Sequence, residues 1–172
     1  MLLDDSFEFL ENREIYEEVI SGLILKAEEA VWIATANLKD IHIKVNGRMR
    51  PLIKTLANMS NAGIDIRFIY SSAPSRRLLD ELKYMKHQIK FYKCIRNHIK
   101  AVIVDDAEIF LGSANFTGAG IGAKSETKRN FELGFIFKNK IIIEKVSKLF
   151  YNITNNAFCQ KCALYKICKE KT

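Results

Sequence analysis

Apolar and polar positions follow two rhythms along this chain. From Asn12 to Ala30 the apolar residues fall at Ile15, Tyr16, Val19, Ile20, Leu23, Ile24 and Ala27, which places them on one face of a helix. The next run, 30–38 (AVWIATANL), is rich in β-formers, Trp32 among them, and predicts a strand. A polar, basic loop, KDIHIKVNGRMR, leads to Pro51, which suits the first turn of a helix that ends at a C-capping Gly63. Residues 64–70 (IDIRFIY) alternate and predict a strand, 74–86 (PSRRLLDELKYMK) a helix, and 89–95 (IKFYKCI) a further strand. Near the end, 130–137 (NFELGFIF) reads as a strand and 140–153 as an amphipathic helix. This order predicts an α/β domain in which helices cover a sheet.

The segment NHIKAVIVDDAEIFLGSANFTGAG, residues 97–120, sets a histidine, a lysine and an asparagine around two short apolar runs. Burying polar groups costs free energy unless something is gained. The runs read as strand, tight turn, strand. With Asp106–Ala107 as the loop and Asp105 opposite Glu108, Lys100 lies opposite Ser113 and His98 opposite Asn115, and parity puts all four on one face. Val102, Val104, Ile109 and Leu111 then face one way, and Ala101, Ile103 and Phe110 the other. A hairpin apolar on both faces belongs in the middle of a layered fold. Its polar end is where a pocket can open.

Composition narrows the classes. The 172 residues fit one domain, and an apolar share of 48% is too high for a disordered chain. Two prolines and eight glycines leave no sign of a linker or low-complexity segment. A net charge of +7 and a pI near 9.2 favour a polyanionic partner, either nucleic acid or an anionic membrane surface. The start is acidic where a signal peptide is basic and then apolar, and no apolar run approaches the ~18 residues of a membrane span. The expectation is a soluble, cytoplasmic protein.

His98-x-Lys100-x4-Asp105-x6-Gly112-Ser113-x-Asn115 resembles the signature motif of the phospholipase D superfamily, and RNFELG resembles that family's downstream glutamate segment, with Glu132 in the matching place. The order of elements over roughly residues 6–153 is similar as well. The resemblance implies a phospholipase D-like sandwich, a mixed central β-sheet flanked by helices on both faces, as a catalytic domain over residues 1–154. Taken singly, His98 could be a core histidine, Lys100 a surface lysine, and Ser113 and Asn115 turn formers; the spacing of the set argues against that.

A phosphodiester is an anion and resists nucleophiles, so catalysis needs positive charge on its non-bridging oxygens, a placed nucleophile and an acid for the leaving oxygen. Histidine can attack or donate a proton near neutral pH. Lys100 supplies charge, and Asn115 and Ser113 supply donors. The family's mechanism, as the resemblance implies it, sets two such motifs around one phosphate, with a covalent phosphohistidine and no metal. Only one complete motif is present here; His42-Ile43-Lys44 lacks the remaining positions. The chain is therefore expected to work as a homodimer. The family's glutamate braces the histidine ring, a role carried to Glu132, while Asp105 is expected to support the turn or the partner chain.

Small one-motif members of the family are often nucleases. Arg48, Arg50, Arg76, Arg77 and the SETKRN segment could line a track for a DNA or RNA backbone, or simply be solvated loops. The alternatives are a phospholipid hydrolase or transferase, disfavoured by the lack of an evident membrane-binding amphipathic helix, and a weakly active nucleic-acid-binding module.

The tail 155–172 is expected to pack on the domain. It carries Cys159, Cys162 and Cys168, close enough in sequence to suggest a metal, with Cys94 as a fourth ligand. The Cys-x2-Cys-x5-Cys spacing with a remote upstream cysteine resembles the iron–sulphur staple of some RecB-like nucleases. Either a structural 4Fe–4S cluster or structural zinc suits four thiolates; unligated thiols are the plain alternative. No metal is expected in the chemistry.

Overall fold

The computed structural model describes residues 7–45, 47–83 and 89–168. Its centre is a seven-stranded mixed sheet made of β1 (Phe7–Glu11), β2 (Ala30–Thr35), β5 (Asp65–Tyr70), β6 (Lys90–Lys93), β7 (Ala101–Val104), β8 (Glu108–Gly112) and β9 (Leu133–Phe137). The spatial order is β1-β9-β8-β7-β2-β5-β6, with β2/β5 and β5/β6 parallel and the other neighbours antiparallel. The two parallel pairs are joined through α1 (Leu52–Asn61) and α2 (Arg76–Lys83), the crossover that parallel strands require.

Both faces are covered. On one side a π-helix (Ile15–Leu23), α1 and α2 pack Ile20, Leu56 and Leu78 with Val31, Ile33 and Phe68 of the sheet. On the other, α3 (Lys140–Thr154) packs Ile143 and Phe150 against Ala34, Ile69, Ile103 and Ile109. Phe150 stacks on Trp32 with ring centroids 5.3 Å apart, and the Arg67 guanidinium lies 4.6 Å from the indole centroid on β2. The helices-on-both-faces sandwich expected from the sequence is therefore present.

The first helix differs from the α-helix its spacing suggested. Its apolar residues recur in two rows four apart, Ile15–Val19–Leu23 and Tyr16–Ile20–Ile24, a longer step than the 3.6 residues of an α-turn. Wider winding keeps both rows on the core, and all six are buried. The helix then tightens through a 3₁₀ turn (Ile24–Lys26), and Ala27 is already extended.

Two further elements went unread in the sequence. β1 adds an edge strand to β9. The supposed loop after Asp40 is a hairpin, β3 (His42–Val45) and β4 (Arg48–Pro51), with Ile43 buried and Gly47 at φ 77°. The Asn46–Gly47 pair, a strong two-residue hairpin signal, was there to be read. The end of the helix expected over 74–86 and the side chain of Arg77 lie outside the described residues.

The β7–β8 register is one residue away from the expected one. Val104 pairs with Glu108 and Ala101 with Leu111, so the loop is Asp105-Asp106-Ala107. Asp105 and Asp106 both take left-handed backbone, φ 53° and 51°, a conformation that aspartate tolerates better than most residues. Phe110 consequently joins Val102 and Val104 on one face, while Ile109 and Leu111 join Ile103 on the other.

Asp105 anchors this turn. Its carboxylate accepts hydrogen bonds from the backbone N–H groups of Glu28, Glu29 and Ala30 at 3.0, 2.8 and 2.8 Å. Burial alone would raise its pKa, but the three donors outweigh burial and hold the carboxyl below its usual range. A depressed folded-state pKa stabilises the fold above the unfolded pKa of about 3.9 and loses that contribution as pH falls through the lower folded value. Asp105→Asn should cost about 1–3 kcal/mol at neutral pH. Urea midpoints measured from pH 6 to pH 2 should show a shallower acid decline for the variant, and parallel curves would contradict the assignment.

Candidate active site

The motif residues gather past the carboxyl ends of β2 and β5, where open α/β sheets leave room for ligands. β7 runs antiparallel to β2, so the segment entering β7 arrives beside the end of β2. Buried Asn97, 4% exposed, fixes that segment. Its Nδ2 donates to Thr35 O at 2.9 Å and Ile69 O at 3.3 Å, its Oδ1 accepts from Ile99 N at 3.3 Å, and its backbone N–H donates to Cys94 O at 2.8 Å. His98, the next residue, is exposed.

Lys100 Nζ stands 3.2 Å from His98 Nδ1 and donates to His98 O at 2.9 Å. An ammonium can only donate, so Nδ1 accepts, and a neutral ring then carries its proton on Nε2.

Thr35, 1% exposed, ties β2 to the segment after β8. Its hydroxyl accepts from Phe116 N at 2.9 Å and donates to Asn37 O at 2.9 Å. Asn115 Oδ1 accepts from Asn37 N at 3.0 Å. Because a backbone N–H must meet an oxygen, this contact sets the amide orientation. Asn115 Nδ2 is left as a donor with no partner among the described residues.

Ser113 and Glu132 form a second group. The Ser113 hydroxyl donates to Glu132 Oε2 in a short contact and accepts from Leu133 N at 3.1 Å, while Asn130 Nδ2 donates to Glu132 Oε1 at 3.0 Å. Glu132 is held from behind by Asn12, whose Oδ1 accepts its N–H at 3.2 Å. The described partners of the Glu132 carboxylate are thus Ser113 and Asn130, and that of the His98 ring is Lys100. The expected glutamate–histidine contact is not among them.

Strand parity does not organise this site. Gly112 N donates to Lys100 O at 3.3 Å, so Lys100 lies opposite Gly112, and the expected Lys100–Ser113 and His98–Asn115 pairs do not form. β8 ends at Gly112 and β7 begins at Ala101; the polar residues lie on the flanking segments, where hydrogen bonds replace the pleat. Gly112 and Gly134 are paired, and a Cβ on Gly112 would come within 2.7 Å of the Phe110 ring. The glycine of the motif lets that ring cross under the site. Asp105 sits at the other end of β7, four strand residues away.

At the site His98 and Ser113 are exposed, while Lys100, Asn115 and Glu132 are half-buried. Described cavities of about 540 Å³, beside Asp105 and Glu108, and about 290 Å³, beside Cys94, contain none of His98, Lys100, Ser113, Asn115 or Glu132. Next to Glu132, Phe131 is 97% exposed, and the same sheet edge presents exposed Phe7, Phe9 and Leu133. The second His-x-Lys lies apart on β3, where His42 Nδ1 is 3.4 Å from Asp40 Oδ2. Arg48, Arg50 and Arg76 are exposed, as is Lys128.

The cysteines converge although they are distant in sequence. Cys94, Cys159 and Cys162 border the 290 Å³ cavity with Ile99, Leu149, Ile153 and Phe158. Burial, and then the neighbouring thiols of Cys94, Cys162 and Cys168, push the Cys159 thiol pKa up. Among the described residues no three His, Cys, Asp or Glu side chains stand close enough together to hold a single metal ion.

Thr35 and Asn97 were not singled out from the sequence. The available signal was a polar residue at the end of an apolar run, AVWIAT, and another just before the His-x-Lys pair. Asn97→Ala strips two buried carbonyls of their donor and should cost about 1–3 kcal/mol. Thermal denaturation is the check, and an unchanged midpoint would mean that Asn97 is not a clamp.

The sequence profile described as "Cardiolipin synthase, PLD-like domain" matches residues 20–154. No curated protein matches the chain in sequence. NucT from Helicobacter pylori shares the fold at a TM-score of 0.63 and 19% identity, over 87% of this chain and 97% of that one. The phospholipase D family member Nuc from Salmonella typhimurium does so at 0.65 and 18%, over 87% and 94%. The archaeal chromatin protein TrmBL2, whose structure is described as showing a novel mode of DNA binding, matches at 0.54 and 13%, over 88% of this chain and 53% of that one. With the profile spanning most of the chain, and His98, Lys100, Ser113 and Asn115 of the motif gathered at one end of the sheet, this protein belongs to the phospholipase D superfamily.

Proposed function

We propose that this protein is a phosphodiesterase that cleaves DNA or RNA as a homodimer, through a phosphohistidine on His98 and without a catalytic metal. The observation that carries the reading is an exposed imidazole with an ammonium 3.2 Å from its Nδ1, beside an Asn115 amide that keeps free donors. These are the parts a phosphodiester needs: a nucleophile, positive charge and oriented hydrogen-bond donors.

With Nδ1 held by Lys100, a neutral ring has its proton on Nε2. Attack on phosphorus needs a bare Nε2. An arriving phosphate draws Lys100 to its oxygens, frees Nδ1 to take the proton, and converts the ring to the nucleophilic form. Nε2 then bonds phosphorus as the P–O bond to the leaving group breaks, and the second histidine, entering as an imidazolium, gives that oxygen its proton and becomes neutral. Water activated by the second histidine later cleaves the P–N bond and restores the ring.

The exposure of His98 and Ser113 supports pairing. A half-site exposed to water gains little from its charges, whereas closure lowers the local dielectric and strengthens them. A second copy would bring the second His98, and exposed Phe131 and Leu133 offer apolar surface beside Glu132 for it to cover. The basic balance of the chain supports a nucleic-acid substrate over a neutral lipid headgroup.

Labelled single- and double-stranded DNA, RNA and phosphatidylcholine, each incubated with pure protein and chelator, test the substrate. Cleavage of nucleic acid is expected to fall roughly 10³-fold in His98→Ala while binding persists. Cleavage of lipid alone, or nucleic-acid binding with no cleavage by the wild type, would overturn the reading.

A further inference from the structure

Three of the four cysteines, Cys94, Cys159 and Cys162, border one cavity, and Cys168 lies near enough to Cys159 to act on its thiol. Cys159, Cys162 and Cys168 come from a single short stretch folded into successive tight turns: Cys162 N donates to Cys159 O at 3.1 Å, Tyr165 N to Cys162 O at 3.0 Å and Cys168 N to Leu164 O at 2.9 Å. The fourth, Cys94, follows β6, where its N–H is held by Tyr70 O at 2.9 Å. All four are free thiols and partly buried.

The spacing discriminates between thiophilic ligands. A single zinc ion, with Zn–S near 2.3 Å, needs its four sulphurs about 3.8 Å apart in a tetrahedron. Among the described residues no three such side chains are grouped to hold one ion, and Cys94, Cys159 and Cys162 instead border a 290 Å³ cavity, far larger than one ion fills. A cluster of irons bridged by sulphide spreads its thiolates more widely, since it fills the space between them and different cysteines bind different irons. Ile99, Leu149, Ile153 and Phe158 form an apolar wall that keeps water from such a cluster, and Arg96 on the rim offers positive charge opposite four thiolates.

We infer that Cys94, Cys159, Cys162 and Cys168 bind an iron–sulphur cluster that pins the tail onto the end of β6. Each thiol gives up its proton to solvent as it ligates iron. The cluster's role is structural. Cys94 O accepts from Asn97 N at 2.8 Å, so the same pin steadies the turn that delivers His98. This inference stands whether or not the chain cleaves nucleic acid.

Anaerobic purification, followed by reconstitution with ferrous iron and sulphide, tests it. Iron and acid-labile sulphide are expected in equal amounts, with a broad visible absorption that dithionite bleaches. Cys159→Ser and Cys94→Ser should lose that band while far-ultraviolet circular dichroism stays native. Wild-type protein that holds zinc without sulphide, or that stays colourless after reconstitution, overturns the inference. A full cluster in Cys94→Ser overturns the four-thiol assignment.

Discussion

The clamp between β2 and the segment entering β7 is the interaction on which the site depends. Two buried polar side chains form it. Asn97 reaches the carbonyls of Thr35 and Ile69, and Thr35 reaches the segment that carries Asn115. Buried polar groups are stabilising only when satisfied, and these two use their capacity to join four pieces of chain at one end of the sheet. His98 follows Asn97 directly, so the placement of the candidate nucleophile follows from a buried amide.

The apolar sandwich explains why this arrangement is rigid at its base and exposed at its mouth. β2 and β7 are apolar on both faces, β5 buries Ile66, Phe68 and Tyr70 on one face and Ile69 on the other, and all three pack under helices. Their ends cannot shift without disturbing both layers. Above those ends His98 and Ser113 are exposed, and the neighbouring sheet edge exposes Phe131 and Leu133. Under the proposed function, such a scaffold holds half of a phosphate site and leaves the other half to a second surface.

Much of this was legible in the sequence because the signals were local. Alternation located β5, helical periodicity located α3, and the His-Lys-Asp-Gly-Ser-Asn spacing located the site. What escaped depended on tertiary context. The one-residue register shift at β7–β8 follows from aspartates accepting left-handed backbone and from backbone donors on a distant strand, neither of which periodicity records. The π-winding of the first helix was present as a step of four but resembles an α-helical stripe. β1 is an edge strand with one buried residue, Leu10, too weak a pattern to stand out. Parity placed His98 opposite Asn115, whereas the structure gathers the motif residues through side-chain bonds beyond the strand ends. The convergence of Cys94 on the tail cysteines was anticipated from residue type alone, with no local signal for it.

The role of His98 can be read directly from the covalent state of the protein. Rapid acid-free quenching during cleavage of a phosphate-labelled oligonucleotide, followed by peptide mapping under alkaline conditions, reports where phosphorus becomes attached. A phosphoryl adduct on the peptide containing His98, formed and lost at the rate of turnover, is the expected result. Steady cleavage with no adduct, or an adduct on another residue, would contradict the nucleophilic role of His98.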